Sequence, residues 1–294
     1  MSDSAPRVSV VTVTYNSAAV IEPCLASLRG VEEVIVVDNA SRDDTLARAR
    51  QTRPDVHVIA SDTNLGFGVA NNRGAAAARG DYVLFLNPDA VLADGALTAL
   101  TTTAASFPEA VLLGPRIENR DGRPIVSHDA DLLTRRRMGA AREAYPATLP
   151  DGPCCSGFLS GAALFARRSA LPKPAFDERL FLYFEDDDLC LRLWRAGMPM
   201  VYVPEAVVRH LGGAASRPSP GLLWRKHWHM AWSRLYFERK HVGFAAAHAL
   251  AFGRLAKFGA KALLYLVSAN STKCWRDAAR FVGTLAFVLG VSAR

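Results

Sequence analysis

Short β-branched runs alternate with helix-length segments through most of this chain. Val8 to Thr14, VSVVTVT, reads as a buried strand. Ser17 is the expected N-cap of an apolar-periodic segment reaching Leu28. Val34 to Val37 predicts a second strand, Asp43 or Asp44 opens a helix to about Arg53, and Val56 to Ala60 predicts a third strand. Asn64-Leu65-Gly66-Phe67-Gly68 leads into an Ala-rich helix from Val69 to Arg79, and Asp81 to Leu86 predicts a fourth strand. A helix from Asp94 to about Ser106 and a strand from Val111 to Gly114 come next, then a hairpin turn over Glu118 to Gly122. Residues 127–155 read as a long loop. Gly157 to Ala166 is apolar and rich in small residues, and Met198 to Val203 is the last expected strand. Gly212-Gly213 and Pro218/Pro220 mark a boundary, and from about Gly221 the pattern is helical. Alternating strand and helix implies an α/β fold with a mostly parallel sheet. The expected domains are 1–220 and a helical region at 221–294.

Charge divides the chain at nearly the same place. Residues 1–221 hold 23 Lys/Arg and 26 Asp/Glu, whereas residues 222–294 hold 12 and 2. The basic pI near 9.4 therefore describes the tail. Nucleic acid and an anionic membrane are the two partner classes such a tail suggests. Trp224, Trp228, Trp232, Leu235 and Tyr236 form a stripe at helical spacing, and Arg254, Lys257 and Lys261 share one face of the next segment. Phe281 to Val291 is too short to span a bilayer, so the tail is expected to lie on one. Packing of these helices on the main domain, or against a second copy, is the alternative. The five cysteines form no CxxC pair, which argues for a reducing compartment, and the polar start MSDSAPR predicts no secretory signal.

Candidate chemistry gathers where strands end, the usual place for function in open α/β sheets. Tyr15, Asp38 and Asn39 follow the first two strands, and Asn87-Pro88-Asp89 follows the fourth. Four consecutive acids, Glu185 to Asp188, follow the aromatic run Phe181 to Phe184 and open a helix-like segment. Adjacent carboxylates repel, so such a run needs solvent, a helix N-terminus or a cation. Asp89 and His210 offer an oxygen–nitrogen ligand pair that suits Mg²⁺ or Mn²⁺ when substrate phosphates complete the shell. The Gly66 and Gly68 pair lacks a dinucleotide fingerprint, the His227 and His229 spacing supports no zinc site, and Arg135-Arg136-Arg137 has no assigned role.

In order, VSVVTVTYNS, VVDNASRDDT, NLGFGVANNRG, DYVLFLNPD, SGAALFARR, FEDDDLCLRLWRAG and VPEAVVRHLGG resemble the motifs of family 2 glycosyltransferases with the GT-A fold. The resemblance runs from Val8 to Gly213 and is nearest the bacterial rhamnosyltransferase-like subgroup. It implies a nucleotide pocket lined by Thr14, Tyr15 and Asn16, with Asp38 and Asn39 on the base or ribose and Arg73 near the phosphates. It implies metal ligation by Asp89 and His210. Asn87 stands where the family's metal motif carries an aspartate. Asp186 takes the place of the catalytic base, Gly161 lies beside the donor sugar, and Glu185 and Asp188 orient the acceptor or hold the loop. The implied activity is an inverting, metal-dependent transfer of a sugar, rhamnose first, from a nucleoside-diphosphate sugar to a saccharide or polyprenyl-diphosphate-linked acceptor. The implied place is the inner face of the cytoplasmic membrane, with no nucleic-acid partner. A sugar-nucleotide nucleotidyltransferase and a non-catalytic nucleotide-sugar binding protein are the competing readings.

Overall fold

The structure is a computed structural model that describes residues 6–133, 149–211, 219–268 and 270–293. Arg135-Arg136-Arg137 and Gly212-Gly213, with most of the long loop, lie outside the described residues. The chain divides into two compact units. One comprises 1–65, 69–176 and 186–216, the other 66–68, 177–185 and 217–294.

The first unit is built on a nine-stranded sheet. Its strands are β1 (Val8–Thr14), β2 (Glu33–Asp38), β3 (His57–Ala60), β4 (Tyr82–Leu86), β5 (Ala90–Leu92), β6 (Leu112–Glu118), β8 (Cys154–Cys155), β10 (Ala163–Arg167) and β11 (Met200–His210). The order is β3-β2-β1-β4-β10-β6-β11-β5, with β8 pairing β11. Strands β3, β2, β1 and β4 run parallel. β10 is inserted antiparallel between β4 and β6, and β11 runs parallel to β6. A separate pair joins β7 (His128–Asp129) and β9 (Phe158–Leu159).

Alternation along the strands decides which helix covers which face. Val10, Val34, Val36 and Leu84 face a core with Ile21 and Leu25 of α1 (Ile21–Ala26), Leu28 just beyond it, Ala49 of α2 (Thr45–Thr52) and Leu100 of α4 (Ala96–Ser106). On the other face α3 (Phe67–Ala77) comes so close that a Cβ on Gly74 would sit 2.3 Å from Val11. Fully burying one such aliphatic side chain contributes about 1.5–3 kcal/mol.

Several boundaries differ from the sequence expectation. Ser17 does not cap α1, whose first turn is preceded by Val20. The Ser17 carbonyl instead accepts the Val20 and Ile21 amides, and its own amide donates to Thr45 Oγ1 at 2.7 Å. α4 starts after Gly95, which has φ 79°, a conformation that suits glycine. β11 runs through Pro204-Glu205 to His210 because a register shift between Val203 and Val207 absorbs the proline. The hairpin after β6 is present, with the Gly122 amide bonded to the Asn119 carbonyl at 3.0 Å.

The second unit is helical: α6 (Pro220–His241), α7 (Phe244–Val267) and α8 (Ser271–Val288). Ser219 caps α6 by accepting the Leu222 amide at 3.1 Å, and Pro220 occupies the first turn. The Trp stripe packs inside this unit. Trp232 stacks on Tyr236, meets the edge of Phe287 and donates Nε1–H to the Val291 carbonyl at 2.8 Å. A Cβ on Gly283 of α8 would lie 2.4 Å from the Trp228 carbonyl oxygen, so the two helices cross backbone to backbone. Segment 177–185 belongs here too. Ser233 Oγ donates to the Leu182 carbonyl, Phe181 stacks on His229, and Asp177 accepts from Tyr236 Oη and Lys240 Nζ. Among the described residues no helix is long and apolar enough to cross a membrane.

Candidate active site

The ends of β1 and β2 form one stitched platform. Asp38, at the end of β2, accepts a 2.7 Å bond from Thr14 Oγ1 and bonds from both the amide and the hydroxyl of Ser41. Its neighbour Asn39 donates its amide to the Thr14 carbonyl and accepts the Leu65 amide on Oδ1. Asn16 holds the loop from the other side, with its amide on Ser41 Oγ and its Oδ1 accepting the Arg42 amide. Asn16 and Ala40 both have positive φ, 51° and 62°. Backbone strain of this kind persists where surrounding bonds over-determine it, often at ligand sites. Thr14, Asp38 and Asn39 are buried, whereas Tyr15 and Asn16 are partly open. Arg73 on α3 is exposed, with Nη1 3.3 Å from Ser61 Oγ. Ser61 in turn donates its amide to the Asp38 carbonyl, which places Arg73 at the rim of the same platform.

A second cluster forms where β4 ends. Asn87, Asp89 and His210 converge, 123 and 121 residues apart in sequence. His210 Nε2 lies 3.1 Å from Asp89 Oδ1 and 3.3 Å from the Asn87 amide nitrogen. Antiparallel pairing of β11 with β5 sets His210 opposite Ala90, and the Leu211 amide donates to the Asp89 carbonyl. β5 has no signal of its own in the sequence, yet its pairing aligns this pair.

The acidic run is sorted by burial. It opens α5 (Glu185–Arg195), where carboxylates complement the helix dipole. Glu185 is 4% exposed, Asp187 and Asp188 are fully buried, and Asp186 alone reaches partly to the surface. Asp188 accepts Arg192 Nε at 2.8 Å, one turn along, and Arg192 also donates to the Ala175 carbonyl. Asp186 Oδ2 accepts the Gly161 amide at 2.8 Å, and its Oδ1 accepts the Asp187 amide at 3.0 Å. A Cβ on Gly161 would sit 3.1 Å from the Asp186 carboxylate, so only glycine allows this approach without a shift. The next residue, Ala162, accepts the Asn87 amide at 3.0 Å. One short chain of bonds thus joins Asp186 to the Asn87, Asp89 and His210 cluster. Cys190 anchors α5 through its thiol, which donates to the Leu159 carbonyl, and burial pushes its pKa up to about 12. Two aromatic residues enter the helix in left-handed conformation, Tyr183 at φ 71° and Phe184 at φ 73°. Burial, with the Glu185 charge, raises the Tyr183 phenol.

These arrangements fit a nucleotide platform, a two-residue cation cradle and a positioned carboxylate. Among the described residues no group of three or more His, Cys, Asp or Glu is placed to hold a metal unaided. Asp89 and His210 fit a cation whose remaining ligands come from a diphosphate. Ser41 and Thr45, which tie the platform together, lie within the VVDNASRDDT motif, and the sequence reading gives them no role. A hydroxyl following a strand-end acid was the available signal.

The family model for glycosyl transferase family 2 matches residues 9–164. The N-acetylglucosaminyl-diphospho-decaprenol L-rhamnosyltransferase of Mycobacterium tuberculosis is 36% identical over 241 residues, spanning 71% of this chain and 76% of its own. The chain belongs to the family 2 glycosyltransferases. Its fold is GT-A: a mannosyltransferase from Pyrobaculum calidifontis in complex with GDP-Man and Mn²⁺ superposes with TM-score 0.56 at 18% identity, covering 98% of this chain and 88% of that one. Glucosyl-3-phosphoglycerate synthase from Mycobacterium tuberculosis, in complex with Mg²⁺ and UDP, gives TM-score 0.51 at 22% identity over 77% of each chain. This glycosyltransferase therefore carries the fold and family that its ordered motifs resemble, and the nucleotidyltransferase and binding-protein readings fall away.

Proposed function

We propose that this glycosyltransferase moves a sugar, rhamnose first, from a nucleoside-diphosphate donor to a polyprenyl-diphosphate-linked saccharide, with inversion at the anomeric carbon. The rhamnosyltransferase relative, named for a diphospho-decaprenol acceptor, supports the donor sugar and acceptor class. The observation that carries the mechanism is Asp186, the one acid of four that is open to an acceptor while two amides hold its carboxylate.

Asp186 accepts the proton of an acceptor hydroxyl, and that oxygen attacks the anomeric carbon in line as the nucleoside diphosphate departs. Thr14, Tyr15, Asn16, Asp38 and Asn39 hold the base and ribose, and Arg73 neutralises phosphate charge from the rim. Gly161 leaves room for the donor sugar beside the base. Asp89 and His210, with Asn87 at their side, would hold Mg²⁺ or Mn²⁺, which supplies charge to the leaving diphosphate. Glu185 and Asp188 keep α5 in place. In this reading residues 1–220 are the catalytic domain and 221–294 a region that meets the inner face of the cytoplasmic membrane.

The test is a donor panel scored by thermal stabilisation of the purified protein with Mg²⁺ or Mn²⁺ present. A deoxythymidine-diphosphate rhamnose donor should stabilise it most, and stabilisation should vanish with chelator. Equal stabilisation by every donor, or none by any, would contradict the donor assignment.

A further inference from the structure

Among the described residues the outer face of α7 has no partner within its own unit. Phe252, Ala256, Ala260, Leu263 and Val267 recur at intervals of four, four, three and four, and all are exposed. Phe252 is 62% exposed and Val267 86%. The stripe spans 16 residues of helix, roughly 22 Å. It ends at a tip where Leu264, Leu266 and Trp275 are also exposed. The opposite face is satisfied. Ala247, Ala251 and Phe258 are buried, and Phe281 of α8 packs on Gly259.

Charge around this face has one sign. Residues 244–293 hold six Lys/Arg and one acid, Asp277. Asp277 is fully buried and bonded to Arg276 at 2.9 Å and Arg280 at 3.1 Å, so no carboxylate of α7 or α8 reaches the surface. Lys257 and Lys273 are exposed beside the stripe and the tip, with Lys273 Nζ over the Tyr265 ring. At the tip, Trp224, Tyr265, Leu266, Cys274, Trp275 and Ala278 wall a largely apolar cavity of about 460 Å³.

We propose that the α7 stripe and the α7–α8 tip dock in the plane of an anionic bilayer, and that the tip cavity receives one lipid tail. An in-plane helix needs an apolar face flanked by cations, and a Trp at the boundary, which this surface has. A protein partner fits less well, because Lys is depleted from protein interfaces and Lys257 borders this face. The proposal deepens the membrane placement given above and rests on that reading.

The experiment is co-sedimentation of the full chain with phosphatidylcholine vesicles, with and without phosphatidylglycerol, and without any polyprenyl acceptor. Wild type should bind the anionic vesicles and lose binding as salt rises. The Phe252→Glu/Val267→Glu variant and the Lys257→Glu/Lys273→Glu variant should each bind at least about tenfold more weakly, with melting temperatures unchanged. Brominated acyl chains should quench fluorescence that Trp275→Phe removes. Absent binding by wild type, binding by both variants as tight as wild type, or a solution dimer that Phe252→Glu/Val267→Glu dissociates would overturn the proposal. Because the vesicles hold no acceptor, a negative result leaves sugar transfer standing. Vesicle binding without nucleoside-diphosphate release would leave the docking surface standing and remove the catalytic reading.

Discussion

Asp186 and Gly161 meet through a 2.8 Å bond from the glycine amide to the carboxylate, at a separation where a Cβ on residue 161 would crowd that carboxylate at 3.1 Å. That contact fixes the carboxylate while leaving it accessible, and its neighbours in the acidic run are buried. Asp186→Asn should lower turnover by roughly 10²–10⁴-fold, the usual share of a general base, and leave donor affinity within a few-fold. Steady-state transfer and donor titration on the same sample check both. Transfer at the wild-type rate would remove Asp186 from its role.

Asp188 should behave in the opposite way. Its carboxylate is fully buried on Arg192, and removing one partner of such a pair leaves an uncompensated charge. Asp188→Ala should destabilise the protein by about 3 kcal/mol, whereas Asp186→Asn should change stability little. Denaturant unfolding of the two variants distinguishes a structural acid from a functional one.

Asp89→Ala and His210→Ala should each weaken donor binding in the presence of Mg²⁺ or Mn²⁺. The two side chains lie 3.1 Å apart, and in the proposed reading they would serve one ion, so the double variant should lose less than the sum of the singles. Calorimetric titration of donor with and without metal gives the coupling. Strict additivity, or wild-type binding that ignores chelator, would separate them from a common site.

Acid should loosen the helical unit through Asp177 and Asp277. Burial alone would raise the Asp177 carboxyl, but the Lys240 ion pair, the Arg179 amide and the Tyr236 hydroxyl outweigh it and hold it below the ordinary 3.8. Burial likewise opposes Arg276 and Arg280 at Asp277, and the arginines win. A depressed native pKa gives stability that is complete above the unfolded value and lost as pH falls through the native one. Melting temperature should therefore fall below about pH 3.8. Asp177→Asn should be less stable at neutral pH and show a shallower acid limb. An unchanged limb would place the acid sensitivity elsewhere.

Much of this arrangement was legible in the chain. β1 was read with its observed limits, Val8–Thr14, because a continuous β-branched run can only be buried on both faces. Asp38, Asn39 and Asp89 were legible because they directly follow such runs. β5, β7, β8 and β9 were not, being two or three residues long and stabilised by partners distant in sequence. The sequence pattern ends β11 at Val203 because Pro204 reads as a stop, whereas a register shift carries the strand on to His210. The Trp stripe of α6 was correctly periodic, but periodicity names a face and not its partner. That partner includes α8, through Phe287 and the close crossing at Gly283. The exposed apolar face belongs to α7, where the sequence pattern marks instead a face carrying Arg254, Lys257 and Lys261, of which Lys257 alone is exposed.

Anomeric outcome tests the central claim most directly. The purified enzyme would be incubated with a nucleoside-diphosphate sugar of defined anomeric configuration, metal and a lipid-linked saccharide acceptor, and the products read by NMR and chromatography. Nucleoside diphosphate and a glycoside of inverted configuration should form together in equal amounts, with neither formed by Asp186→Asn. Release of pyrophosphate, a glycoside of retained configuration, or undiminished product from Asp186→Asn would contradict the account.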